Sequence, residues 1–228
     1  MGIPCFAGGL YVSDPDDFYS FVNFSQFGNA LQTQFGSANI TVDANPLGDI
    51  SAYSAAILLP RLFAPGLNAT EVTNLNNFIN SGKRVFIAGE NETFFAAWND
   101  SFLTPLGAAA GSDYGPSATV VSINLLGSNY LTNGVSTVSV VAAGTVGSGG
   151  TALSTPEVMA MFGTSSNVVT FLDYSAFYGF DSSPNNVQFY GNVAGWLAGA
   201  DTGAPEPASM ALTGSVLGAA LWWRRRRG

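Results

Sequence analysis

Residues 82–89 read Gly82-Lys83-Arg84-Val85-Phe86-Ile87-Ala88-Gly89. Val85 to Ala88 form an unbroken apolar run between two glycines, too short for a helix, which predicts a strand covered on both faces. The stretch before it, Asn68-Ala69-Thr70-Glu71, has the spacing of a capping box. Val72, Leu75, Phe78 and Ile79 then recur at helical intervals, and Ser81-Gly82 is a C-cap signal. After the turn Gly89-Glu90-Asn91, the spacing predicts another helix over 93–103. Working outward, short β-prone runs lie at 9–13, 39–42 and 54–59. Asp14-Pro15 reads as the start of a helix ending near Gly36, with Phe18, Phe21 or Val22, Phe24, Leu31 and Phe35 facing inward. Strands and helices alternating through short loops predict an α/β fold, a mainly parallel sheet flanked by helices.

The pattern changes over 111–150. Val120-Val121-Ser122-Ile123 and the run at 135–141 are β-prone, are separated by Gly, Ser and Asn, and show no helical period. A small antiparallel β region inserted into the α/β domain is predicted there. Further strands are predicted at 157–162 and 167–172. A last helix is predicted after Ser183-Pro184, turning Val187, Tyr190, Val193, Ala194, Trp196 and Leu197 inward.

Composition narrows the function classes. Hydrophobic residues make up 47% of the 228 and aromatics 13%, which argues against disorder, while charged residues are only 10%. Through residue 201 there are three basic residues, Arg61, Lys83 and Arg84, against fourteen acids, a net charge of −11. So acidic a surface argues against nucleic acid as a partner. The chain has no histidine and a single cysteine, Cys5. That removes an internal disulfide, the usual general base and the usual zinc ligand.

The C-terminal stretch reads GAPEPASMALTGSVLGAALWWRRRRG. Ala208 to Trp223 carries no charge, and its 16 residues give about 24 Å of helix against a hydrocarbon core of about 30 Å. Trp222 and Trp223 suit the headgroup interface, and Arg224, Arg225, Arg226 and Arg227 suit the cytoplasmic side. A transmembrane helix with its arginine cluster is predicted over 208–228, preceded by a linker at 200–207 and a domain at 1–199. Gly214 and Gly218 form a G-x-x-x-G pair within it. Pro205-Glu206-Pro207, an apolar helix and terminal arginines, in that order, resemble the PEP-CTERM sorting signal of Gram-negative bacteria. The resemblance covers the final tenth of the chain. It implies recognition by an exosortase-type membrane protease, an inner-membrane precursor, and delivery to the cell surface or the exopolysaccharide matrix. Met1 to Val12 has neither the positive nor the apolar region of a signal peptide, so the export reading expects a start upstream of Met1.

A second resemblance spans most of residues 9–198. A helix leading into Gly82-Lys83-Arg84-Val85-Phe86-Ile87-Ala88-Gly89, a late strand ending in Asp173, and a closing Asn192-to-Leu197 segment are similar to the class I glutamine amidotransferase-like, flavodoxin-like, fold. Active members place a nucleophilic cysteine in the turn after this strand, with a histidine and an acid further on. Here the turn reads Gly89-Glu90-Asn91-Glu92 and the chain lacks histidine. The resemblance therefore implies the fold without the amidase chemistry.

Parallel α/β sheets bind ligands beyond the C-terminal ends of their strands. Three predicted strands end in acids, Asp14, Glu90 and Asp173, with Asp16 nearby. These four are the candidate metal ligands, with calcium as the ion their oxygens would suit. No other cofactor is indicated. The alternative reading makes each acid a cap or turn residue. Five Asn-x-Ser/Thr sequons start at Asn23, Asn39, Asn68, Asn91 and Asn99. The outer portion is expected to be a non-catalytic binding or structural module. The alternative is a carboxylate-dependent extracellular hydrolase of glycosides or esters.

Overall fold

The structure, a computed structural model, describes residues 8–14, 21, 25–61, 66–116, 119–163, 165–178 and 183–200. Contacts divide the chain into a unit of residues 1–198 and one of residues 199–228. The expected transmembrane helix, the sorting motif and the arginine block lie outside the described residues, as do Cys5 and Asp16. Among the described residues, no helix is long and apolar enough to cross a membrane.

Seven strands form the main sheet. They are β1 (Leu10–Ser13), β2 (Ile40–Asp43), β3 (Ala55–Leu58), β4 (Arg84–Ala88), β9 (Thr151–Ala152), β11 (Met159–Phe162) and β12 (Val168–Phe171). Their order is β2-β1-β3-β4-β12-β11-β9. The first five run parallel, with Val12 opposite Ile57, Ile57 opposite Phe86, and Phe86 opposite Val169. β11 and β9 extend that sheet antiparallel. The parallel part has the flavodoxin-like doubly wound order.

Helices cover both faces because β1, β3, β4 and β12 are apolar on both. Leu10, Val12, Ile57, Phe86 and Phe171 pack with α1 (Ser25–Phe35) and α5 (Pro184–Leu197). Tyr11, Leu58, Val85 and Ile87 pack with α2 (Ala69–Asn80) and α3 (Glu92–Leu103). Asn68 caps α2 through its side chain, with Glu71 returning the bond, as the spacing predicts. Two expectations need correction. The inward side of α1 includes Phe27, which the predicted spacing skipped. On α5, Val187 faces solvent and Phe189 faces inward.

The inserted region comprises β5 (Ala109–Ala110), β6 (Val120–Leu125), β7 (Thr137–Val141), β8 (Val146–Ser148) and β10 (Ser154–Thr155). It forms an antiparallel three-stranded sheet, β10-β6-β7, and a β5-β8 pair. It runs slightly beyond the predicted 111–150, over residues 109–155. An exposed strand edge offers unpaired backbone groups to other chains, and here side chains close the edge of β7. Ser139 N–H donates to Asn186 Oδ1 at 2.9 Å, and Asn186 Nδ2 donates to the Ser139 carbonyl at 3.2 Å. Asn185 Nδ2 reaches Thr137 Oγ1 at 2.9 Å, and Val141 N–H donates to Asp173 Oδ2. This stitching explains why α5 turns Asn186, fully buried, toward the core and leaves Val187 outside. Asn186→Leu strands two part-buried backbone groups, and chemical denaturation is expected to show a loss of about 2 kcal/mol.

Candidate functional site

The C-terminal ends of β4 and β12 lie side by side, and each is followed by an acid. Trp98 Nε1 donates to the Ala88 carbonyl at 2.9 Å, tying α3 to the end of β4. A Cβ on Gly89 would sit 2.4 Å from Leu172 Cδ2 and 2.7 Å from Asn99 Oδ1, so a side chain here requires those buried groups to shift. Glu90 is then gripped through its own backbone. Its N–H donates to Asn99 Oδ1 at 3.3 Å and its carbonyl accepts from Asn99 Nδ2 at 2.7 Å. This grip aims the Glu90 carboxyl inward, where it is 3% exposed. Oε1 accepts from the Asn91 N–H at 3.0 Å and Asn91 Nδ2 at 3.2 Å, and Oε2 accepts from Ser175 Oγ at 3.0 Å.

Asp173 begins the connection to α4 (Ser175–Tyr178) and is fully buried. Its Oδ1 accepts from the Ala176 N–H at 3.2 Å, and its Oδ2 accepts from the Val141 N–H of the insertion. Burial pushes the Glu90 carboxyl up to about 7 against the hydrogen bonds from Asn91 and Ser175. Burial also raises Asp173 well above the usual carboxylate range, and the charge of Glu90 raises it further. Two buried carboxyls that interact titrate as a pair, and burial with their mutual repulsion favours the forms that hold a proton.

The insertion closes over these groups. Gly144 N–H donates to the Leu172 carbonyl at 2.7 Å, and a Cβ on Gly144 would lie 2.5 Å from the Glu90 carbonyl oxygen. The N-terminus of α3, the usual place for a ligand anion, is filled from within. Phe94 N–H donates to Asn91 Oδ1 at 3.1 Å, while Asp113 accepts from the Glu92 N–H and the Thr93 hydroxyl.

Of the four candidate metal ligands, the structure brings Glu90 and Asp173 together. Asp14 follows β1, two strands and about 10 Å of sheet from β4. Its Oδ2 accepts from the Phe21 N–H at 2.7 Å. Among the described residues, no three or more His, Cys, Asp or Glu side chains gather closely enough to hold a metal ion. Two open clefts lie elsewhere, about 400 Å³ between α1 and β2 and about 370 Å³ beside the C-terminal end of α2. Among the sequons, Asn68 and Asn91 cap helices and Asn99 is fully buried.

Sequence reasoning missed Ser175, Asn99, Asp113 and the Val141 amide. Asn99 left a trace, a lone amide on the helix face that also carries Phe95, Trp98 and Phe102. Asp113 left none, because only folding carries a loop acid to a distant helix end.

No protein-family model matches the chain, and no curated protein sequence does. Solved structures do match. The N-terminal domain of mmIFT52 superposes with a TM-score of 0.63 at 13% identity, over 83% of this chain and 96% of that one. A GMP synthase-like protein from Thermoplasma acidophilum gives 0.54 at 10% identity, over 85% of this chain and 96% of its own. A ThuA-like protein from Parabacteroides merdae gives 0.57 at 10% identity, over 87% and 92%. At these identities the likeness concerns the backbone alone, and together with the 2-1-3-4-12 order of the parallel strands it identifies a glutamine amidotransferase-like fold.

Proposed function

We propose that the α/β unit is a non-catalytic binding or structural module, delivered by its C-terminal tail to the cell surface or extracellular matrix. One observation carries the first half. The turn after β4, where a nucleophile would stand, holds a buried glutamate bonded to its own neighbours, and the helix start beside it is occupied by Asn91 and Asp113. Nucleophilic catalysis needs an activating base within hydrogen-bond reach. The chain has no histidine, and its one cysteine, Cys5, precedes β1 rather than standing in this turn. The tail carries the second half through Pro205-Glu206-Pro207, the uncharged segment at 208–223, and Arg224 to Arg227. An exosortase-type protease would be the partner that processes it, and the membrane the site of the precursor.

The competing reading is a carboxylate-dependent hydrolase in which Glu90 acts as the acid. Assaying the full chain against glutamine, glycoside and ester panels at pH 5–8 decides between them. No turnover above a Glu90→Gln control is expected. Turnover abolished by Glu90→Gln at unchanged melting temperature would overturn the proposal. For the tail, replacing Pro205 and Pro207 with alanine in a host carrying an exosortase is expected to leave uncleaved precursor in the membrane. Unchanged processing would contradict the sorting assignment.

A further inference from the structure

Glu90 and Asp173 form a buried acidic pair that, among the described residues, no positive side chain compensates. From Val85 to Trp223 the chain carries no lysine, arginine or histidine. On the described elements packed around the pair, the titratable groups are Glu92 and Asp100 on α3, and Asp113, Tyr114 and Tyr130 in the insertion. Glu157 before β11, Tyr174 before α4, Tyr178 as its last residue and Tyr190 on α5 complete the set. Arg61 is engaged with Glu71, and Lys83 and Arg84 sit at the opposite, N-terminal end of β4. Among the described residues, a second negative charge inside this pair therefore meets no cation that would balance it.

Water reaches the pair by displacing what covers it. One cover is α4, whose Ser175 and Ala176 bond both carboxyls. The other is the insertion, which meets the pair through the Val141 amide, the Gly144 amide on Leu172, and the close seat of Gly144 on the Glu90 carbonyl. The insertion is also attached by polar bonds from Asn185, Asn186 and Asn192 and from Asp113 to the start of α3, and by apolar side chains that include Ile123, Leu131, Val138, Val140 and Leu153. We propose that the insertion is a proton-dependent cover, held against the ends of β4 and β12 while Glu90 and Asp173 retain a proton and loosened when both ionise. Opening exposes the strand ends at which this class of sheet binds ligands.

The sign follows from linkage. Both carboxyls are raised in the closed form, so protons are released on opening, and the open form gains as pH rises. With Glu90 raised from 4.5 to about 7, the opening equilibrium increases by up to about 100-fold across that window.

Hydrogen exchange of the full chain between pH 5 and pH 8.5, corrected for intrinsic rates, tests this. Protection of β6 and β7 is expected to fall at least tenfold more than that of β1 and β3, and Glu90→Gln is expected to flatten the difference. Ser175→Ala removes a donor from the ionised Glu90 and should extend the loss to higher pH. If β6 and β7 track β1 and β3 across the range, the cover does not exist. If they loosen equally in Glu90→Gln, the pair does not control it. The wild-type profile alone decides the first point should a variant fail to fold.

Discussion

Glu71→Ala is expected to cost about 3–5 kcal/mol, because it leaves the Arg61 guanidinium buried without its counter-charge. Glu71 is 2% exposed and Arg61 is 8% exposed. The carboxylate is saturated. Oε1 accepts from the Leu47 N–H at 2.8 Å and from Arg61 Nη2, while Oε2 accepts from Arg61 Nη1 at 3.0 Å and the Asn68 N–H at 2.9 Å. The guanidinium also lies 5.7 Å from the centre of the Trp98 ring. One ion pair thus joins the loop after β2, the chain after β3 and the start of α2. Thermal unfolding should drop by about 10 °C for a chain of this size. Arg61→Ala should cost a similar amount. A joint Arg61→Met, Glu71→Leu variant should recover only part of the loss, since the Leu47 and Asn68 amides still lack an acceptor. Single losses below about 1 kcal/mol would mean that the pair behaves as a solvated surface bridge.

Glu90→Gln is expected to act in the opposite direction, stabilising the protein by up to about 3 kcal/mol at pH 8 and hardly at all at pH 4. Burial holds the folded-state carboxyl up to about 7, so below about 4.5 both folded and unfolded chains are protonated and no penalty arises. Between those values the unfolded chain ionises first, and stability declines with rising pH. A glutamine keeps the acceptor for Asn91 and offers its amide to the Ser175 oxygen. Removing the charge also relieves Asp173, which that charge raises. Asp173→Asn should not behave this way. Both Asp173 oxygens accept backbone N–H groups, so one of them would face an NH2 and lose its bond at every pH. Glu71 sets the acid limb. Although burial pushes it up, the bonds from Arg61, Asn68 and Leu47 hold it below its usual range, so its contribution is present above about 4.5 and lost on further acidification. Stability should therefore be greatest near pH 5, well on the acid side of neutrality.

The parallel strands were legible because each is a compact apolar run, such as 54–59 or 85–88, and α2 because its cap, period and stop agree. The sequence also placed Glu90 and Asp173 at strand ends, since acids directly after apolar runs are a local signal. It could not say that these two strands are neighbours while β1 lies further off. Strand order is set by crossovers that leave no local mark. Nor could it distinguish an acid facing solvent from one sealed under Gly144 and Val141, because the seal comes from a segment about fifty residues further along the chain. The inward turn of Asn186 was hidden for a related reason. Helical spacing favours an apolar residue there, and the unpaired edge of β7 overrides it.

The central claim is that the strand ends hold a sealed, proton-bearing carboxyl pair instead of a working nucleophile or an open ligand site. Carbon-13 NMR titration of the side-chain carboxyls, with Glu90 assigned by Glu90→Gln, reads it directly. Titration of Glu90 near pH 7, accompanied by a second buried carboxyl that titrates well above the usual carboxylate range, is the expected result. A Glu90 resonance that titrates between pH 4 and 5 like a solvated glutamate would contradict the account.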